Sequence, residues 1–190
     1  MSLINQGEQT VTVPHWVTIE GKRFRAVEFE TAVDTDIDTA WAELHGNYVN
    51  IQDIQAAIID SYGLPGEPET GMGAVRHCDI DFNGKEVAIK ERIIDLIELP
   101  DHREYTYDVY ESKGFPARVY NTWRLRVGPR GETLLANVFY YRMQPAIMTR
   151  FMVGQITGAA RGGVLGYKHF FETGERKTPA AEIRRRYAGV

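Results

Sequence analysis

The sequence predicts an α+β domain in which a curled antiparallel sheet of about six or seven strands wraps around one long C-terminal helix. Three observations predict it. Five strand-like runs follow one another at 74–82, 86–97, 103–111, 117–127 and 132–143. Their connectors are short and turn-rich: NGK (83–85), LPDH (99–102), SKGFP (112–116) and GPRG (128–131). Links of this kind join antiparallel neighbours. A single helical pattern then closes the series at 145–172, about 40 Å long at the usual rise per residue. Helices segregated from such a meander must cover one face of the sheet.

The elements follow in order. The run TVTVPHWVTI (10–19) is strand-like but contains Pro14, so it fits at most an edge strand. In RFRAVEFETAV (23–33), Val27, Phe29, Thr31 and Val33 share one face and Glu28 and Glu30 the other, the signature of a half-buried strand. An acidic cap region at 34–38 precedes a short helix at 39–44 carrying Trp41 and Leu44. A second short helix is expected at 49–61, with Ile51, Ile54, Ile58 and Ile59 apolar. The stretch YGLPGEPETGMG (62–73) breaks it as a long loop. Pro145 suits the first turn of the last helix. The tail TPAAEIRRRYAGV has three consecutive arginines and reads as a solvated basic segment. The chain thus divides into an N-terminal extension (1–22), one domain (23–174) and a basic tail (175–190).

Composition narrows the function. With 190 residues, 43% hydrophobic and 25% charged, the chain suits one soluble domain with a substantial core. A formal net charge of -4 provides no global basic field, which argues against nucleic acid as the main partner. The single cysteine, Cys78, allows no intramolecular disulfide and fits a reducing compartment. The N-terminus lacks a basic-then-apolar signal pattern, and no run of 18 apolar residues exists. The expectation is a cytoplasmic protein without a membrane span. Oligomeric state is not legible.

One stretch is unusual. Residues 154–168 read GQITGAARGGVLGYK, with glycine at 154, 158, 162, 163 and 166. Each costs a helix interior about 1 kcal/mol relative to alanine. The solvent face of this helix reads Arg150, Thr157, Arg161, Lys168 and Glu172, and the inner face Met148, Met152, Ile156, Ala159, Gly163, Tyr167 and Phe170. That inner face is large at its ends and small at its waist. Either another part of the chain approaches closely there, or the gap stays open as a pocket for a small ligand. A transmembrane small-xxx-small contact fits the pattern, but Arg150, Arg161 and Lys168 argue against a lipid setting. The glycines match neither phosphate-binding fingerprint, and no cofactor is implied.

Alternation along the strands supplies candidate site residues. Glu91 falls among Val87, Ile89 and Ile93, where a carboxylate must pair, find water or shift its pKa. Arg76 alternates with Ala74, Cys78 and Ile80, placing it to hold Glu91 or a ligand carboxylate. Tyr107 shares a face with Tyr105 and Val109, and Asn137 and Tyr141 share one with Leu135 and Phe139. In 117–127 the pattern turns Val119, Asn121, Trp123 and Leu125 inward. Met152, Ile156, Ala159 and Gly163 complete the expected cavity from the helix. No metal site is expected: the histidines at 15, 45, 77, 102 and 169 lack ligand spacing, and His77, Asp79 and Asp81 read as a solvated outer face. The three serines lie outside any nucleophile elbow, and Cys78 on a buried strand reads as inert.

The ordered set VDTDIDTAWAEL (33–44), GMGAVRHCDI (71–80), VAIKERIIDLIE (87–98), ARVYNTWRLRV (117–127) and YYRMQP (140–145), with a helix ending in YKHFFETGE, resembles the START-like or helix-grip superfamily (SRPBCC). That superfamily includes the birch pollen allergen family, the polyketide cyclase/dehydrase and lipid-transport family, and plant abscisic-acid receptors. The resemblance implies a deep cavity between sheet and helix for hydrophobic or amphipathic molecules, so that 23–174 would be a START-like ligand-binding domain. It implies a ligand-facing role for Glu91, turns Tyr120 and Thr122 inward, and places a gate at 62–73, where SYGLPGEP loosely matches the receptors' Ser-Gly-Leu-Pro.

Two functions follow. The first is binding of a hydrophobic small molecule, with Glu91, Arg76 and Asn137 as polar anchors. The second is an aromatase/cyclase or dehydratase acting on a polyketide-like substrate, with Glu91 as candidate general base or acid. A third reading, an interaction module built on the glycine row and the basic tail, has the least support.

Overall fold

The computed structural model describes residues 10–82 and 84–189, with side chains from residue 13 onward. The first nine residues of the expected N-terminal extension, Asn83 of the NGK connector and the last residue of the tail lie outside the described residues. The strands are β1 (Thr10–Ile19), β2 (Lys22–Val33), β3 (Ile58–Gly63), β4 (Val75–Phe82), β5 (Lys85–Glu98), β6 (His102–Lys113), β7 (Ala117–Val127) and β8 (Thr133–Met143). The helices are α1 (Ile37–Leu44), α2 (Val153–Thr173) and α3 (Ala180–Arg186). The strands form one sheet in the order β1-β2-β8-β7-β6-β5-β4-β3, every pair antiparallel. The five-strand meander is β4 to β8, and β1 forms the edge strand that Pro14 permits. The fold is therefore α+β, with eight strands instead of six or seven.

The extra strand comes from the segment expected as a second helix. Only α1 forms between β2 and β3. Asp36 caps α1, accepting from the Thr39 N–H at 2.8 Å, and this hydrogen bond lowers the Asp36 pKa. Beyond it, residues 45–57 run through turns, and 58–63 become β3 against β4. Ile51 and Ile54 are buried, and their spacing imitates a helix although they anchor a turn. The β-branched pair Ile58–Ile59 suits a strand, and β3 satisfies the backbone edge that β4 would otherwise leave open.

The last helix also starts later than expected. Residues Ala146–Phe151 form a 3-10 turn, and α2 begins at Val153. Met148 consequently lies exposed instead of on the inner face. Gly174 ends α2 in the left-handed region at φ 73°, with its N–H on the Phe170 carbonyl at 2.7 Å. Lys168 does not point into solvent; its Nζ donates to the Ala32 carbonyl at 2.7 Å.

The tail is not simply solvated. Ile183 and Tyr187, one turn apart on α3 and its end, are both buried in the main core. The Tyr187 hydroxyl donates to Glu172 at 2.6 Å, and the Lys177 N–H donates to the Asp53 carbonyl at 2.6 Å. Arg184, Arg185 and Arg186 stay exposed, so the basic character remains on the outer side of a packed strap.

Candidate functional site: a cavity between the sheet and α2

A cavity of about 540 Å³ lies between the sheet and α2. Its floor is apolar: Ile80 and Phe82 of β4, Val87 and Ile89 of β5, Val109 of β6, Val119 of β7 and Phe139 of β8. Phe115 joins them from the β6–β7 turn. Its roof is the thin part of α2, with Ile156, Gly158, Ala159, Arg161, Gly162 and Gly163. Its rim is made by Gln55, Ala56 and Ala57 on one side and Ala180, Ile183, Arg184 and Ala188 on the other. The volume lies in the range typical of small-molecule pockets.

The glycines of α2 divide at this cavity. A Cβ on Gly166 would lie 2.5 Å from the Ile54 carbonyl oxygen, and one on Gly163 would lie 3.1 Å from the Trp123 ring. These two positions allow helix, turn and sheet to touch. A Cβ on Gly158 or Gly162 would meet no atom within 4 Å. Both expectations for the row are realised, on adjacent faces of one helix.

The polar end of the cavity is an ion pair set by strand register. Arg76 and Glu91 are direct cross-strand partners on β4 and β5. Their side chains are 2% and 4% exposed, and Arg76 Nε donates to Glu91 Oε2 at 2.5 Å. Arg76 Nη1 donates to the Tyr48 carbonyl at 2.6 Å. The guanidinium also stacks over the rings of Tyr48 and Tyr107, at 4.2 and 5.0 Å from their centroids. Burial works against the Arg76 charge, and the Glu91 carboxylate more than reverses that, holding the guanidinium charged above its ordinary range. Burial, then Glu91, pushes the Tyr107 hydroxyl well above its ordinary pKa, so it remains a neutral phenol. Beneath the pair, burial raises the Cys78 thiol to about 12, with Ser61 Oγ 3.4 Å from its sulfur. That thiol is not a nucleophile.

Of the expected site residues, Arg76, Glu91, Tyr107, Ile156, Ala159 and Gly163 line the cavity. Four do not. Tyr120 lies on the opposite face of β7, its ring 5.6 Å from that of Phe24 and its hydroxyl accepting from Arg118 at 3.1 Å. Thr122, on the same side, shares a 2.7 Å hydrogen bond with Thr106. The alternation reading of β7 is therefore correct, and the orientation implied by the resemblance is not. Asn137 points inward, but its amide closes on Asn121 through reciprocal hydrogen bonds of 2.8 and 3.1 Å. Tyr141 is fully buried with Val27, Val119, Met143 and Ile156, and Met152 packs on that same cluster.

Gln55, Phe115, Arg161 and the α3 residues were not foreseen in the cavity. Gln55 sat in the expected second helix, and Arg161 on the expected solvent face. The four-residue spacing of Ile183 and Tyr187 was the available signal for α3. None of residues 62–73, the expected gate, is among the lining residues; the Gly71 N–H is tied to His45 Nε2 at 3.1 Å. No group of three or more metal-ligating side chains occurs among the described residues. No described helix is long and apolar enough to cross a membrane.

No family model matches the sequence, and neither does any curated protein. Solved structures do match. A START superfamily protein from Mycobacterium smegmatis superposes with a TM-score of 0.60 at 12% identity, covering 76% of this chain and 97% of that one. Ara h 8.0201 superposes at 0.55 and 14% identity, covering 79% and 99%. The major latex-like protein 151 from Panax ginseng superposes at 0.51 and 17%, covering 72% and 93%. The chain has a START-like, helix-grip fold. Identities this low establish the architecture and leave the chemistry to the site.

Proposed function

We propose that this protein binds a hydrophobic or amphipathic small molecule in the cavity between the sheet and α2, as a carrier or sensor. The observation that carries the reading is the mouth. Gly158, Ala159 and Gly162, which are exposed, line the mouth of a cavity of about 540 Å³ over an apolar floor and leave it open. Burying an apolar ligand there gains about 25 cal/mol per Å² removed from water. In this reading the binding unit extends past 174, because Ile183 and Arg184 contribute to the rim. The lone, buried Cys78 is consistent with a reducing, cytoplasmic setting.

The cyclase or dehydratase alternative would require Glu91 to move a proton. Glu91 is held by Arg76 at 2.5 Å, and no histidine, aspartate or serine is among the described lining residues. The remaining proton donor of the lining, Tyr107, is a phenol whose pKa is raised well above its ordinary value, which makes it a poor match for acid–base chemistry near neutral pH, so binding is favoured.

A calorimetric titration with a panel of apolar and amphipathic molecules tests the proposal, using wild type and Ala159→Trp. Saturable binding by wild type, abolished in a variant of unchanged thermal stability, is the expected result. Equal binding by both proteins would place the ligand elsewhere, and absence of binding by wild type would refute the reading.

A further inference from the structure

The 3-10 turn Ala146–Phe151 is built inside out. Its buried residue is the polar one: Thr149, whose Oγ accepts from the Met143 N–H at 3.0 Å and ties the turn to β8. Its large apolar residues point the other way, with Ile147 56%, Met148 42% and Phe151 62% exposed. Exposed apolar side chains are ordinary one at a time. Three on one short turn make a patch of the kind that marks a contact surface. The turn also touches β2. At that end of the sheet Trp16 of β1 is exposed as well, with the guanidinium groups of Arg23 and Arg25 over its ring at 4.7 and 5.3 Å.

Charge indicates what covers this patch. The whole chain carries a formal charge of -4, yet no acidic residue occurs between Glu132 and Glu172. Arg150 lies in the turn itself, stacked on Phe151 at 4.9 Å, and Arg142 shortly precedes it. Lys22, Arg23 and Arg25 open β2, whose first residues lie beside the end of β8. Glu20, the acid of the β1–β2 hairpin, is paired with Arg118 at 3.2 Å. At the opposite end of the sheet Leu99 is 53% exposed too, but it stands between Glu98 and Asp101 in the chain. We propose that the end of the molecule formed by the Ala146–Phe151 turn and the β1–β2 hairpin docks on an anionic phospholipid bilayer. Ile147, Met148 and Phe151 enter the head-group layer, and the arginines lie against lipid phosphates and carboxylates. Trp16 suits the boundary between apolar and wet surroundings. A two-fold contact with a second copy would instead set Arg150 and Arg23 against like charges. The docking surface does not require an occupied cavity.

Co-sedimentation of the full chain with vesicles tests this, using phosphatidylcholine alone and an equimolar mixture of phosphatidylcholine and phosphatidylserine. At low salt the chain should bind the anionic vesicles about tenfold or more tighter than the neutral ones, and the gap should narrow as salt rises. Arg150→Gln should weaken binding to the anionic vesicles about fivefold, and Phe151→Ser about tenfold. Leu99→Ser, an apolar loss at the opposite end, should leave binding unchanged. All three side chains are exposed, so each variant should keep the wild-type Tm. No sedimentation with anionic vesicles, or sedimentation that Phe151→Ser leaves intact, would overturn the proposal. A concentration-dependent dimer abolished by Phe151→Ser, without vesicle binding, would overturn it in favour of a second copy.

Discussion

Two faces of α2 carry the same small residue for opposite reasons. At Gly163 and Gly166 the helix is pressed against Trp123 and the Ile54 carbonyl, so there is no room for a methyl group. At Gly158 and Gly162, which lie exposed on the adjacent face of the same helix, nothing stands within 4 Å of where a Cβ would be. A glycine that enables contact can offset its helix cost through the packing it permits. A glycine beside open space gains nothing from packing, and its cost of about 1 kcal/mol needs another account. Open space along a helix that could have been filled by alanine or leucine is what a ligand site requires.

The largest effect should come from the ion pair at the polar end of the cavity. Glu91→Ala would leave Arg76 buried and charged without its partner, a loss of about 3–5 kcal/mol, read as a large drop in the urea midpoint. A loss below about 1 kcal/mol would mean that water reaches Arg76 freely. Next is Gly166→Ala. The new methyl must displace the Ile54 backbone, so a net loss of about 1–3 kcal/mol is expected despite the better helix propensity. At Gly163 the neighbour is the edge of a ring that can shift slightly. Alanine there should stay within about 1 kcal/mol of wild type. Gly158→Ala and Gly162→Ala should each stabilise by about 0.4–1 kcal/mol, visible as a rise in Tm. Destabilisation at either position would erase the contrast with 163 and 166. The smallest signal is chemical. With its thiol raised to about 12 by burial, Cys78 should resist a thiol reagent at pH 8 and react only at the rate of unfolding. Rapid labelling of the native protein would show that the β3–β4 edge opens.

Much of this architecture could be read from local pattern. The meander was legible because each strand alternates and each connector is short, and both signals are local. Arg76, Glu91 and Tyr107 were found by the same period of two. Depth was not legible. Alternation placed Asn137 on the correct side, but only the facing amide of Asn121 shows that it is sealed away from the cavity. The segment 49–61 misled because Ile51, Ile54 and Ile58 have helical spacing, while the pairing that makes β3 a strand is a contact with β4. The strap was hidden by its arginines. The buried pair Ile183 and Tyr187 was outweighed by three consecutive charges, and its binding partner, α2, is a nonlocal surface.

The central claim is that the open face of α2 lines a cavity that holds a small molecule. Native mass spectrometry of freshly purified protein, compared with an Ala159→Trp variant of matched stability, tests it most directly. The account predicts retained mass on wild type, released into organic solvent and missing from the variant. Bare mass for both proteins, with no uptake after incubation with dodecanoic acid or 1-dodecanol, would contradict it.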